Sequence, residues 1–136
     1  MHVARILIVE DDANIRLFLA AVLSKHGYTI VEAGDGAEAL RCLHESADYY
    51  MLITDLLMPN VDGLTLIKSV QQQFPDLLIT AITADIRKGK EALKGGAHYA
   101  ISKPISYDRL VSFIQSVVKE GASSNVRERT PKAPSL

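Results

Sequence analysis

Short apolar runs and longer amphipathic stretches alternate along this chain. Ile6-Leu7-Ile8-Val9, entered through Ala4 and Arg5, is rich in β-branched residues and stops at Glu10-Asp11-Asp12; this predicts a short buried strand. Asp12 suits the N-cap of a following helix. Ile15, Phe18, Leu19, Val22 and Leu23 recur at the spacing of one apolar helical stripe, which predicts that this side faces the core. Gly27 suits the left-handed position just past the helix end. The same alternation continues. Residues 28–33, 50–54, 77–82 and 99–102 read as strands. Residues 37–45, 64–74 and 87–93 read as helices, as does a last segment carrying Leu110, Phe113, Ile114, Val117 and Val118. Gly34-Asp35-Gly36, Pro59 with Gly63, Pro75 and Gly95-Gly96 punctuate them. Strands alternating with helices in this way predict an α/β fold, a doubly wound parallel sheet with helices on both faces and right-handed crossovers.

Composition narrows the picture without changing it. A chain of 136 residues has the size of one domain. With 48% hydrophobic and 23% charged residues it reads as soluble and globular. A net charge of −1 supplies no overall pull toward nucleic acid or an anionic surface, so no direct nucleic acid binding is expected. No apolar run approaches the ~20 residues that cross a bilayer, and the first residues lack the layout of a secretory signal; no membrane insertion and a cytoplasmic location are expected. Cys42, the single cysteine, falls beside Leu40 and Leu43 and reads as a small core or boundary residue. From Gly121 the chain turns to Gly, Ala, Ser, Pro and charges without a period. Residues 1–120 are therefore expected to form the domain, and residues 121–136 a flexible tail or the stub of a linker.

In open parallel sheets, sites form beyond the carboxyl ends of the strands. Glu10 and Asp11 follow the first predicted strand, Asp55 the third, Thr83 the fourth and Lys103 the fifth. Singly, each has an ordinary reading as a helix cap, a turn residue or a surface lysine; together they deliver acids, a hydroxyl and an ammonium to one rim. Clustered carboxylates repel one another unless a cation joins them. A hard, oxygen-rich set with few protein ligands suits Mg2+, which keeps waters and draws in phosphate. Phosphoryl transfer depends on positioning and charge neutralisation, and a carboxylate can serve as the nucleophile. Asp55 is the candidate nucleophile, with Lys103 and Thr83 offering a positive charge and a hydroxyl to phosphoryl oxygens.

Ile-Leu-Ile-Val-Glu10-Asp11-Asp12, Asp55-Leu-Leu-Met58-Pro59-Asn-Val-Asp62-Gly63, Thr83-Ala84 and Lys103-Pro104, with Gly36, Ala39-Leu40 and Gly96-Ala97, resemble the response-regulator receiver domain of two-component signalling, the CheY-like family. The likeness covers roughly residues 4–119. It implies a flavodoxin-like five-stranded sheet of order 2-1-3-4-5 with five helices. It implies Asp55 as phosphoacceptor, Asp11 as a direct Mg2+ ligand, Glu10 acting mostly through water, and the Leu57 backbone carbonyl completing the protein ligands. It also implies Lys103 on the phosphoryl group, Thr83 as the switch hydroxyl, and a cis bond before Pro104. The donor would be a histidine kinase or histidine phosphotransfer protein and the output a downstream protein effector, the chain itself being a switch rather than an enzyme, with at most slow autodephosphorylation. Alternatives are a receiver module of a larger regulator or hybrid kinase, and a non-phosphorylated binding module of the same fold.

Two details qualify the resemblance. The family often carries Tyr or Phe three residues before the lysine; here Ala100 stands there, and Tyr99 falls on the opposite face by strand alternation. His98-Tyr99 stands where many transcription-factor receivers have two aspartates, which weakens the case for their mode of dimerisation. A flavin carrier would need a glycine- and hydroxyl-rich phosphate loop where Glu10-Asp11-Asp12 stands, and an aspartate-nucleophile phosphatase commonly has a second acid where Leu57 stands. Arg87, Lys88, Lys90 and Lys94 read as a solvated helix face or an acidic partner's dock, while Asn14, Arg16, Pro104 and Ile105 are candidate contacts for a phosphotransfer partner.

Overall fold

The apolar runs become strands β1 (Arg5–Val9), β2 (Thr29–Ala33), β3 (Met51–Asp55), β4 (Leu78–Thr83) and β5 (Tyr99–Ser102). They alternate with helices α1 (Ala13–Lys25), α2 (Gly36–Glu45), α3 (Gly63–Gln73), α4 (Ile86–Lys94) and α5 (Tyr107–Ser123). The computed structural model describes residues 4–46, 48–58 and 61–123. All strand pairs are parallel, in the expected order β2-β1-β3-β4-β5. Pro59 and residues 124–136 of the expected tail lie outside the described residues.

Strand alternation divides the core into two layers. Leu7, Val9, Leu52, Ile79 and Ala81 pack with Ala39, Leu43, Leu66, Ile67, Val70 and Ala92 of α2, α3 and α4. Ile6, Ile8, Met51, Ile53 and Ile101 pack with Leu19, Leu23, Leu110, Ile114 and Val117 of α1 and α5. Each fully buried Leu or Ile contributes roughly 1.5–3 kcal/mol by leaving water, so this double layer holds the strand ends, and hence the rim, in place.

Four helices begin on an aspartate cap. Asp12, Asp35, Asp62 and Asp85 accept hydrogen bonds from the first free N–H groups of α1, α2, α3 and α4, each cap contributing about 1 kcal/mol. These caps start α2, α3 and α4 one residue before the first periodic residue suggests. Gly27 adopts φ 93° just past α1, as expected of its position.

Two sequence expectations need correction. The core side of α1 is Leu19, Ala20 and Leu23, whereas Phe18 is 51% exposed with its ring edge-on to Tyr107 of α5. Ile15 and Val22 of the same stripe are partly buried against that core, while Phe18, with neighbouring Leu17, stays outward. The domain boundary at residue 120 falls inside α5, which continues to Ser123; one glycine lowers helix stability by only about 1 kcal/mol and does not end an anchored helix.

Candidate functional site

Because every strand runs the same way, all carboxyl ends meet at one edge of the sheet. Asp55 lies opposite Ile82, and the next pair, Thr83 opposite Ser102, precedes Lys103. Glu10, Asp11 and Asp55 each bring a carboxylate oxygen to within 4.8 Å of the others. Lys103 Nζ donates to Asp55 Oδ2 at 2.7 Å and lies 3.7 Å from Glu10 Oε1. The Leu57 N–H donates to Asp55 Oδ1 at 3.2 Å, so both oxygens of Asp55 are held. Glu10 and Asp55 are buried while Asp11 is exposed, so the cluster opens to water on the Asp11 side. The bond between Lys103 and Pro104 is cis.

Charge is concentrated here beyond what burial alone tolerates. Desolvation, then the charge and hydrogen bond of Asp55, push the Glu10 carboxyl up to about 7, although Lys103 pulls the other way. Burial lowers the ammonium affinity of Lys103 for its proton, but Asp55 and then Glu10 outweigh it, and the net shift is upward. Two acids share one ammonium, and the third faces water. Three hard oxygen donors with one open side are the donor chemistry that Mg2+ takes.

The loop after β3 is shaped by Gly63. A Cβ there would lie 2.5 Å from the Asp55 carbonyl oxygen and 2.5 Å from Leu56 Cα, both backbone atoms. Close approach is sealed by the Gly63 N–H donating to the Leu56 carbonyl at 3.0 Å. Gly63→Ala is therefore expected to destabilise the fold by roughly 1–3 kcal/mol through overpacking, read as a lower unfolding midpoint in urea; an unchanged midpoint would show that the loop yields without cost.

Thr83 is on the same rim but is engaged elsewhere. Its hydroxyl accepts the N–H of Asp85, the cap of α4, at 3.1 Å, and its methyl carbon faces Gly89 of α4. Ala100 lies beside that same glycine. Tyr99, on the other face as alternation requires, is buried edge-on to Phe113 at 4.7 Å between ring centroids. His98 belongs to the other end of the sheet, where Ile79 N–H donates to its Nδ1 at 3.0 Å and burial lowers its proton affinity.

Sequence reasoning assigned Arg16 to a partner surface and missed its use. Its Nη1 donates to the Glu10 carbonyl at 2.6 Å and its Nε to Glu32 Oε1 at 3.3 Å. The legible signal was Glu32, a charge inside the apolar run of β2.

The sequence pattern of the response regulator receiver domain matches residues 6–115. The chain is 34% identical over 122 residues to the CAI-1 autoinducer sensor kinase/phosphatase CqsS of Vibrio cholerae, covering 86% of this chain and 18% of that protein. Across the first curated relatives it spans 18% to 53% of their length. Its fold superposes on the chemotaxis protein CheY4 of Vibrio cholerae with a TM-score of 0.79 at 28% identity, covering 85% of this chain and 99% of that one. The response regulator TrrA of Thermotoga maritima, solved with Mg2+ and BeF, superposes with a TM-score of 0.76 at 29% identity, covering 83% and 97%. With that match over most of its length and the rim that its fold assembles, the chain belongs to the response-regulator receiver-domain family of two-component signalling.

Proposed function

We propose that the chain is a phosphorylation switch in which Asp55 accepts a phosphoryl group from a phosphohistidine partner. The observation that carries this reading is the meeting of Glu10, Asp11 and Asp55 within 4.8 Å beside the Lys103 ammonium, 2.7 Å from Asp55. Asp11, Asp55 and the Leu57 carbonyl are the protein ligands proposed for Mg2+, with Glu10 acting through water. When bound, the ion neutralises the carboxylates and the incoming phosphoryl oxygens. An Asp55 oxygen attacks phosphorus, the bond from phosphorus to the donor nitrogen breaks, and the imidazole leaves with the electron pair. Lys103 is already in place to hold a phosphoryl oxygen, its charge kept by its acidic neighbours. Beyond this transfer the chain is a switch and not a turnover enzyme, its acyl phosphate decaying slowly to water.

Relay is proposed to run through Thr83. Turning its hydroxyl toward the phosphoryl group breaks the bond from Asp85 N–H and disturbs the cap of α4. Ala100 leaves no aromatic ring to mediate, so Thr83, with its methyl facing Gly89 and its hydroxyl on the Asp85 cap, links site and helix. Lys88 of α4 borders a cleft of about 420 Å3 that also reaches Leu57 and Met58, which leaves the helix room to shift. A protein effector reading α4 is the expected output, with no direct contact to nucleic acid. Exposed Leu17 and Phe18 on α1, with Pro104 and Ile105 nearby in the β5–α5 connection, form the proposed apolar face for a histidine kinase or phosphotransfer protein.

Among the described residues no helix is long and apolar enough to cross a membrane, and a cytoplasmic site of action is proposed. The domain is taken to comprise residues 1–120 plus the last turn of α5, with the remainder as tail or linker. It can act alone or as a module of a longer regulator or hybrid kinase. The test is incubation with acetyl phosphate and magnesium followed by intact-mass measurement. One phosphoryl increment per chain, lost slowly and absent when the metal is chelated, is expected; no increment, or steady turnover of a phosphoester, rejects the reading.

A further inference from the structure

Arg16 lies in the first turns of α1, with its side chain only 19% exposed. Its guanidinium spans two strands. Nη1 donates to the Glu10 carbonyl beyond β1 at 2.6 Å, and Nε donates to Glu32 Oε1 on β2 at 3.3 Å. Gly34 lies beside it; a Cβ there would meet Nη1 at an ordinary contact distance of 3.4 Å. On its other side, Glu10 donates its N–H to the Ala33 carbonyl at 3.1 Å.

The Glu10 carbonyl is half of the Glu10–Asp11 peptide. A peptide is planar, so fixing the direction of its carbonyl fixes the plane and the point from which Asp11 departs. Asp11 is exposed, and packing does not hold it. Even so, its carboxylate must stay close to Glu10 and Asp55 for the three acids to act as one donor set. We propose that Arg16 is a positioning residue for the cation site, setting the Asp11 carboxylate through the Glu10–Asp11 peptide while Glu32 sets Arg16. By bonding the carbonyl rather than a carboxylate, Arg16 itself takes up no acidic oxygen of the site. This inference rests on the proposed reading of Glu10, Asp11 and Asp55 as a magnesium site.

Its sign separates it from simpler roles. Removing a positive charge near a cation site should tighten cation binding by Coulomb attraction. Loss of a positioning contact around a metal should weaken it, by about 10- to 100-fold. Isothermal titration of magnesium chloride into wild type, Arg16→Ala, Arg16→Lys and Glu32→Gln, with each unfolding midpoint recorded, decides between them. Arg16→Ala is expected to weaken binding by about 10- to 100-fold while remaining folded. Arg16→Lys should fall between it and wild type, because an ammonium cannot serve both partners as a fork does, and Glu32→Gln should weaken binding less than Arg16→Ala. Equal or tighter binding by folded Arg16→Ala overturns the proposal. If that variant does not fold, wild-type affinity in both Arg16→Lys and Glu32→Gln overturns it. Wild type that binds no magnesium instead overturns the site reading on which the proposal rests.

Discussion

Asp55→Asn is expected to lose phosphoryl incorporation completely while keeping its fold. The amide has the same shape, and its oxygen can still accept the Leu57 N–H that now meets Asp55 Oδ1 at 3.2 Å. It has no anionic oxygen to attack phosphorus. Lys103 loses its partner at 2.7 Å but keeps Glu10, at 3.7 Å, as a counter-charge. Glu10 and Asp11 remain, so the variant asks whether any acid of the rim can substitute. Lys103 makes its short contact to Asp55 alone, and the Leu57 N–H orients Asp55 alone. Glu10 is held more loosely, by Asp12 N–H at 3.4 Å and Lys103 at 3.7 Å, and Asp11 is exposed; neither should be labelled. Intact mass after acetyl phosphate and magnesium, with peptide mapping of the wild-type product, checks both points. Labelling of the variant at the wild-type level, or a wild-type label on the peptide bearing Asp11, would sink the assignment of Asp55.

Magnesium affinity is expected to fall by about tenfold per pH unit once the pH drops below about 7. The cause is Glu10, whose carboxyl is pushed up to about 7 by burial and then by Asp55. A cation binds the ionised group, so below that value each binding event must release a proton, and the apparent affinity drops accordingly. In the cation-free protein the same shift works with the opposite sense. The folded chain keeps a proton that the unfolded chain sheds near 4.5. Its contribution to stability is therefore complete below about 4.5 and is lost as pH rises to about 7, where bound magnesium restores stability by mass action. Titration calorimetry between pH 5.5 and 8, in buffers of different ionisation enthalpy, should find close to one proton released at the acid end and few at pH 8. An affinity flat across that range would exclude Glu10 as the controlling group.

Much of the candidate site was legible because chain direction and chemistry coincide in a parallel sheet. A strand that must be buried announces itself by a mostly apolar run, and the polar residues just past its end lie at the rim. Glu10, Asp55, Thr83 and Lys103 were placed at that rim this way, where the structure has them. The cap of α1 could be read in advance because Asp12 stands directly before a periodic stretch, where an aspartate favours the N-cap. Less visible was the purpose of residues whose partners are distant in sequence. Glu32 stands 16 positions from Arg16, and only the pairing of β1 with β2 brings the two together. Thr83 could be placed at the rim, but the bond from Asp85 N–H that turns its hydroxyl toward α4 could not.

By itself the sequence determined the order and kind of the elements, the two-sided burial of the strands and which side chains reach the carboxyl-end rim. These are local properties, set by period, caps and the length of each apolar run. Tertiary structure alone decided how those side chains are used. It placed Lys103 against Asp55, drove the Glu10 carboxyl upward, turned Phe18 outward against Tyr107 and committed Arg16 to the Glu10 carbonyl. Each of these depends on distances between segments far apart in the chain. Electrostatic shifts and hydrogen bonds are short-ranged in space and indifferent to separation in sequence; no pattern read along the chain could specify them before the sheet had closed.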